Sequence, residues 1–235
     1  MKSTMEELKK RGYTTKHETE LIKKSGNVYD YLKSEISSER TAAVRIISDE
    51  CDLNFDTVSL LCKMLVSEKA LYTKIEICSL LSEAPEEFYS VITEYLGVSG
   101  NNQYNEIPEK LFGKKSYPLP RDIFARTLAH AGYQAIPVIF EVFEEGSISK
   151  VREAVDAIGF ICFYDEKCEV YFEKFYEYSE KFSYDKICRW KFVRAFRSFN
   201  NTKVKNILGK ISVNDEDNLI RREASESLKI INNKK

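Results

Sequence analysis

Between positions 184 and 212 the chain sets Lys186, Arg189, Lys191, Arg194, Arg197, Lys203, Lys205 and Lys210 against one carboxylate, Asp185, with Trp190, its only tryptophan, inside the run. Guanidinium and ammonium groups interleaved with an aromatic ring can grip a nucleic-acid backbone or an acidic peptide. The same residues also suit a solvated face offset by the acidic stretch 166–180, with Trp190 in the core. Three more arginines, Arg40, Arg152 and Arg222, recur at the start of similar stretches. A guanidinium fork offers bidentate donors to carboxylate or phosphate. These arginines therefore fit either an anion-recognising groove or ties to neighbouring carboxylates, for which Asp49, Glu153, Asp156 and Glu223 are candidates.

Other chemistry has little footing. Cys51, Cys62, Cys78, Cys162, Cys168 and Cys188 are scattered through apolar patterns without a C-x-x-C, which predicts reduced thiols behaving as small hydrophobes. His17 and His130 stand far apart in no zinc-ligand spacing. No phosphate-binding glycine loop, G-x-S-x-G elbow or H-E-x-x-H occurs. No catalytic residue, metal or cofactor is expected. Tyr171, Phe172, Phe175, Tyr176 and Tyr178 resemble an aromatic box, yet their spacing fits a buried helix face with two exposed tyrosines.

Composition sets the frame for these groups. At 235 residues and 43% hydrophobic content the chain can bury a substantial core, and its 36 Lys+Arg against 37 Asp+Glu give a net charge of −1. No global basic field advertises nucleic acid or an anionic membrane, so any such role must be local. The charged start and the absence of a stretch of about 20 apolar residues predict a soluble, cytoplasmic protein without a membrane partner.

The elements that position the charged groups read as helices almost throughout. Thr4 with Glu7 forms a capping box for a first helix ending near Gly12, and a second helical stretch runs to Gly26; together, residues 1–26 read as an N-terminal helical cap. Apolar stripes then predict helices at 28–36, 38–49, 54–66, 71–83, 85–96, 121–131, 134–145, 149–163, 166–181, 183–199, 202–211 and 215–231. Asn27, Ser38, Asn54 and Asn214 stand as caps. Residues 97–120 break the pattern with Gly97, Gly100, Gly113, Pro108, Pro118 and Pro120, a long loop inserted into the array.

Alternate helices share a shape: Arg40-Thr41-Ala42-Ala43-Val44, Thr73-Lys74-Ile75, Val151-Arg152-Glu153-Ala154, Trp190-Lys191-Phe192-Val193 and Arg221-Arg222-Glu223-Ala224. Taking Ala42, Ile75, Thr127, Ala154, Val193 and Ala224 as equivalents gives steps of 33, 52, 27, 39 and 31 residues, the longest holding the insertion. Such steps suit helical-hairpin repeats of roughly 30 to 47 residues. In V-R-E-A-x-x-A-I-G at 151–159 and R-R-E-A-x-x-x-L at 221–228 the chain resembles the HEAT-repeat family, including the phycobilisome-lyase-like kind. Thr73-Lys74, Trp190 and Phe192 depart from the family pattern. The resemblance covers 27–235 and implies an all-α, right-handed α-α superhelix, or solenoid, of about six antiparallel helical hairpins. The second helices of such an array line a concave face.

The resemblance implies a non-enzymatic scaffold that recognises a protein or peptide partner through that face. Arg152, Lys191, Arg194, Arg197, Arg222 and Trp190 are the candidate contacts. The loop at 97–120 has a reading as a clasp over the groove, using Tyr104, Phe112, Lys114, Lys115 and Tyr117, and an equal one as a tolerated insertion. A nucleic-acid partner is the rival expectation. Its enzymatic form is an alkylpurine DNA glycosylase, since certain bacterial members of that class resemble this chain in size and architecture, although they use more than one tryptophan.

Overall fold

The computed structural model describes residues 3–98, 100 and 102–233. Met1, Lys2, Lys234 and Lys235, and Ser99 and Asn101 of the expected loop, lie outside them. Every regular element among the described residues is helical, and none of their helices is long and apolar enough to cross a membrane. The chain divides into two compact units, Met1–Ile92 and Thr93–Lys235.

The first unit opens with α1 (Met5–Lys10), α2 (Lys16–Ser25) and α3 (Val28–Tyr31), followed by α4 (Ser37–Glu50), α5 (Phe55–Ser67) and α6 (Leu71–Ser82). A 3-10 turn at Glu86–Phe88 leads into α7 (Tyr89–Thr93). The Thr4–Glu7 capping box forms as the spacing predicts, and Thr15 with Glu18 makes a second one. Two predicted helices are shorter than expected. The stretch 28–36 stops at Tyr31, and the Arg40 guanidinium takes the carbonyls of Ser34, at 2.7 Å, and Glu35, at 3.2 Å. The stretch 85–96 tightens after Pro85 into i→i+3 bonding, with Phe88 N–H donating to the Pro85 carbonyl.

Helices α1, α2 and α3 pack on α4, so residues 1–26 share one body with the helices that follow. The core of the unit is Ala42, Ala43, Val44, Ile47, Val58, Leu61, Ile77 and Leu81, all fully buried. Helix α4 lies against α6, where the buried hydroxyls of Thr41 and Thr73 share a hydrogen bond of 2.8 Å. Gly12, at φ +89°, fits there because a Cβ would come within 2.6 Å of Thr73 Oγ1. Ile75, paired above with Ala42, is 51% exposed, so the α6 register at that position differs from the sequence alignment.

In the second unit, α8 (Ile123–Ala131) and a 3-10 turn (Gly132–Ala135) precede α9 (Ile136–Glu145) and α10 (Ile148–Tyr164). A further 3-10 turn (Glu166–Tyr171), α11 (Phe172–Lys181), α12 (Lys186–Ala195) with a 3-10 extension (Phe196–Ser198), α13 (Thr202–Asn214) and α14 (Asn218–Asn233) complete it. Asn214 falls inside α13, and Asp217 accepts the Leu219 amide at the start of α14 instead. Helix α10 packs on α8, α9 and α12, and α12 packs on α14. The equivalents Thr127, Ala154, Val193 and Ala224 are all buried along these contacts. Phe172, Phe175 and Tyr178 face Phe143, Phe192 and Phe199 in an aromatic core, while Tyr171 and Tyr176 are half-buried. No disulfide joins the six cysteines; Cys62, Cys162, Cys168 and Cys188 are buried and Cys51 and Cys78 half-buried.

Candidate functional site

The basic run does not form an exposed patch. Lys191 and Arg197 are 0% exposed, Trp190 1% and Arg194 2%. An unpaired buried ammonium or guanidinium costs several kcal/mol, so each must meet a carboxylate. Each does so on a neighbouring helix, α10 or α14. Lys191 Nζ donates to Glu153 Oε1 at 2.8 Å and to the Arg152 carbonyl at 2.9 Å, and lies 3.0 Å from Asp156 Oδ2. Arg194 bonds Asp156 Oδ1, both groups being buried. Arg197 pairs with Glu223 and reaches Ser227 Oγ at 3.1 Å, while Trp190 Nε1 donates to Glu223 Oε2 at 2.9 Å. Charges that local counting leaves unbalanced are neutralised from α10 and α14.

The remaining cations of the run lie nearer solvent. Lys186 pairs with Asp217, Arg189 with Asp215 and Glu216, and Lys203 with Glu173. Of the expected acidic stretch 166–180, Glu173 supplies an ion pair to this run, but most of the compensation comes from elsewhere. Arg152 forks onto Asp185, with Nε 3.0 Å from Oδ1, and Asp185 also caps α12 by accepting the Cys188 amide at 2.8 Å. Arg40 makes the same bidentate fork on Glu68, at 2.8 and 2.9 Å. The arginine partners named from the sequence, Glu153, Asp156 and Glu223, serve Lys191, Arg194 and Arg197. Arg222 is exposed and stands outside the network.

Burial sets the protonation of these groups. Desolvation pushes Glu153 up to about 7, against the pull of the Lys191 ammonium and with a push from Asp156. Asp156 goes the other way: burial opposes its charge, but Lys191 and Arg194 outweigh it and hold its pKa below the ordinary value. Asp185 is likewise depressed, the Arg152 fork overcoming desolvation.

The expected loop is a strap against this network. Asp122, fully buried, is its neck: Oδ1 accepts the Phe124 and Ala125 amides at 2.9 Å, capping α8, while Oδ2 accepts Gly97 N–H at 3.2 Å and Gln103 Nε2 at 3.0 Å. One carboxylate thus ties both ends of the strap together. Burial raises its pKa. Tyr117 is the deep anchor, its phenol against Gly159 of α10, where any Cβ would run into the hydroxyl. Tyr104, half-buried, meets Trp190 edge-to-face at 4.9 Å and 78°. Three cations surround its ring: Arg121 at 3.7 Å, Arg194 at 5.5 Å and Lys191 at 5.8 Å. Lys114 and Lys115 project from the exposed part of the strap. Among the described residues Glu153 Oε2 and Arg197 Nη1, both buried, meet no hydrogen-bond partner, while the Tyr117 phenol lies beside the Arg194 guanidinium.

The structure therefore brings Trp190, Lys191, Arg194, Tyr104 and Tyr117 together, and leaves Arg222, Lys114 and Lys115 apart. Sequence reasoning missed Asp122 and Gly159. An aspartate directly before an apolar helical run was a readable capping signal for the first.

No family model matches the chain. No curated protein matches it either. Solved structures that match include two described as crystal structures of engineered proteins. One has a TM-score of 0.41 and 15% identity over 87% of this chain and 96% of its own. The other has a TM-score of 0.42 and 17% identity over 93% and 97%.

Proposed function

We propose that this chain is a solenoid of HEAT-like helical hairpins that serves as a non-enzymatic scaffold, binding a protein or peptide partner through the face of its second helices. The supporting observation is where the polar side chains of those helices go. Arg40 to Glu68, Thr41 to Thr73, Arg152 to Asp185, Lys191 to Glu153, Arg194 to Asp156 and Arg197 to Glu223 each join one second helix to the next element or repeat, at separations of 26 to 38 residues. Within the units α4 lies on α6, and α8, α10, α12 and α14 follow one another. Such ties suit an array in which each repeat completes the core of its neighbour. The charged groups are engaged in stacking, which leaves recognition to the surface around them.

Lys191, Arg194, Arg197 and Trp190, the expected contacts of both this reading and the rival nucleic-acid one with its glycosylase form, are buried and paired, so they are not the recognition surface of either, and the rival loses the basic patch it drew on. The test is to pan a random peptide library on the immobilised full chain. Convergence on one consensus, binding with a Kd of about 1 to 100 μM, is expected for a rigid groove taking a short extended segment. An unconverged library together with release of a modified base from DNA overturns the reading in favour of the rival.

A further inference from the structure

Helices α10 and α12 are covered on almost every side: residues 153–159 and 190–199 are buried without interruption. Second helices of a repeat array ordinarily leave one face open. In this unit the strap lies against them, with Tyr104 set on Trp190 and Tyr117 rooted at Gly159. We propose that the strap is a built-in occupant of the unit's peptide-binding face, and that the seat of Tyr104 takes an aromatic side chain from an extended partner segment once Tyr104 swings out. This rests on the scaffold reading above and gives it a site and a ligand class.

Three features carry the proposal. The Tyr104 seat is chemically suited to an aryl ring, since it has the Trp190 ring in a T-shaped pair on one side and the guanidinium and ammonium groups of Arg121, Arg194 and Lys191 within cation–π range. Tyr104 is also the releasable contact. It is half-buried, whereas Tyr117, Pro118, Pro120 and Asp122 anchor the C-terminal end in full burial, and Gly97 and Gly100 at the other end hold positive φ angles of 74° and 79°. Finally, the closed arrangement leaves the buried Glu153 Oε2 without a hydrogen-bond partner among the described residues. A buried polar atom without a partner is costly, so a group that met it would add to binding. The backbone of an incoming segment offers both donors and acceptors.

Trp190 is the only tryptophan, so its emission reports on the seat without a label. In the full chain Tyr104→Ala is expected to keep its helical circular dichroism and to raise acrylamide quenching of Trp190 several-fold. A synthetic peptide of sequence 102–118 should then restore the wild-type quenching, the same peptide with Ala at the position of Tyr104 should bind at least 10-fold more weakly, and the wild-type chain, whose own Tyr104 competes for the seat, should bind the first peptide at least 10-fold more weakly than Tyr104→Ala does. Trp190 remaining as shielded in Tyr104→Ala as in wild type overturns the proposal, as does an exposed Trp190 that the peptide fails to cover. If Tyr104→Ala does not fold, hydrogen exchange on the wild-type chain decides. Strap amides at 102–116 exchanging at least 100-fold faster than those of α10 and α12 support a releasable strap, and equal protection overturns it. A shielded Trp190 sinks the strap alone, whereas a library that fails to converge on the wild-type chain and on Tyr104→Ala alike, with release of a modified base from DNA, sinks the scaffold reading.

Discussion

Glu153 shows what the interior of the second unit demands of a single residue. Its carboxyl is buried between Lys191, which favours its charge, and Asp156, which with Asp122 opposes it. Desolvation prevails and carries its pKa from 4.5 to about 7. A folded state that holds a proton the unfolded state has released is stabilised at low pH and loses that advantage as pH rises from 4.5 through 7. The loss from this one group is on the order of 3 kcal/mol. Depressed carboxyls such as Asp156 and Asp185 act in the opposite sense, and lower, where pH falls through their own range. Replacing Glu153 by Gln should therefore flatten the fall in urea-unfolding stability between pH 4.5 and 7. An unchanged slope would place the titration elsewhere. None of this was readable locally, because Lys191 lies 38 residues from Glu153 and a charge count over the basic run saw Asp185 alone.

At the scale of elements, what was legible followed from local bonding. The Thr4–Glu7 box, the Asn27 and Asn54 caps and the stop at Gly132 all depend on residues within four positions of one another, and all form. The lengths of α3 and α7 were not legible, since the carbonyls of Ser34 and Glu35 beyond α3 are taken by Arg40 and the chain ahead of α7 tightens into i→i+3 bonding after Pro85. The loop at 97–120 was visible by its glycines and prolines, but not that Asp122 gathers it. That carboxylate caps α8 and closes the strap neck through four accepted bonds, so its loss strands several donors at once. A lost cap costs about 1 kcal/mol and each buried unmet donor about 1 to 3. Asp122→Ala should lower unfolding stability by about 3 kcal/mol, and limited proteolysis should cut first within 102–116. Stability loss with no change in the cutting pattern would confine Asp122 to capping.

For the whole molecule the decisive quantity is how much positive charge is free to meet a polyanion. The net charge is −1, and within 184–212 six cations, Lys186, Arg189, Lys191, Arg194, Arg197 and Lys203, are already ion-paired. Affinity for duplex DNA grows with the number of phosphates neutralised, and each contact adds about 0.9 to the slope of log K against log salt. A protein making six such contacts would lose about a thousandfold in affinity between 50 and 200 mM salt. Lys205 and Lys210, the two cations of the run outside these pairs, would add about 2 to that slope, which is the signature of weak, sequence-indifferent contact. Fluorescence anisotropy with a labelled 20-base-pair duplex is thus expected to show no saturable binding at 150 mM salt and a shallow slope below it. A slope near 6 would mean that Lys191, Arg194 and Arg197 leave their carboxylates to reach DNA. Tying those cations to Glu153, Asp156 and Glu223 makes that exchange unfavourable, because every phosphate gained would leave a buried carboxylate without its partner.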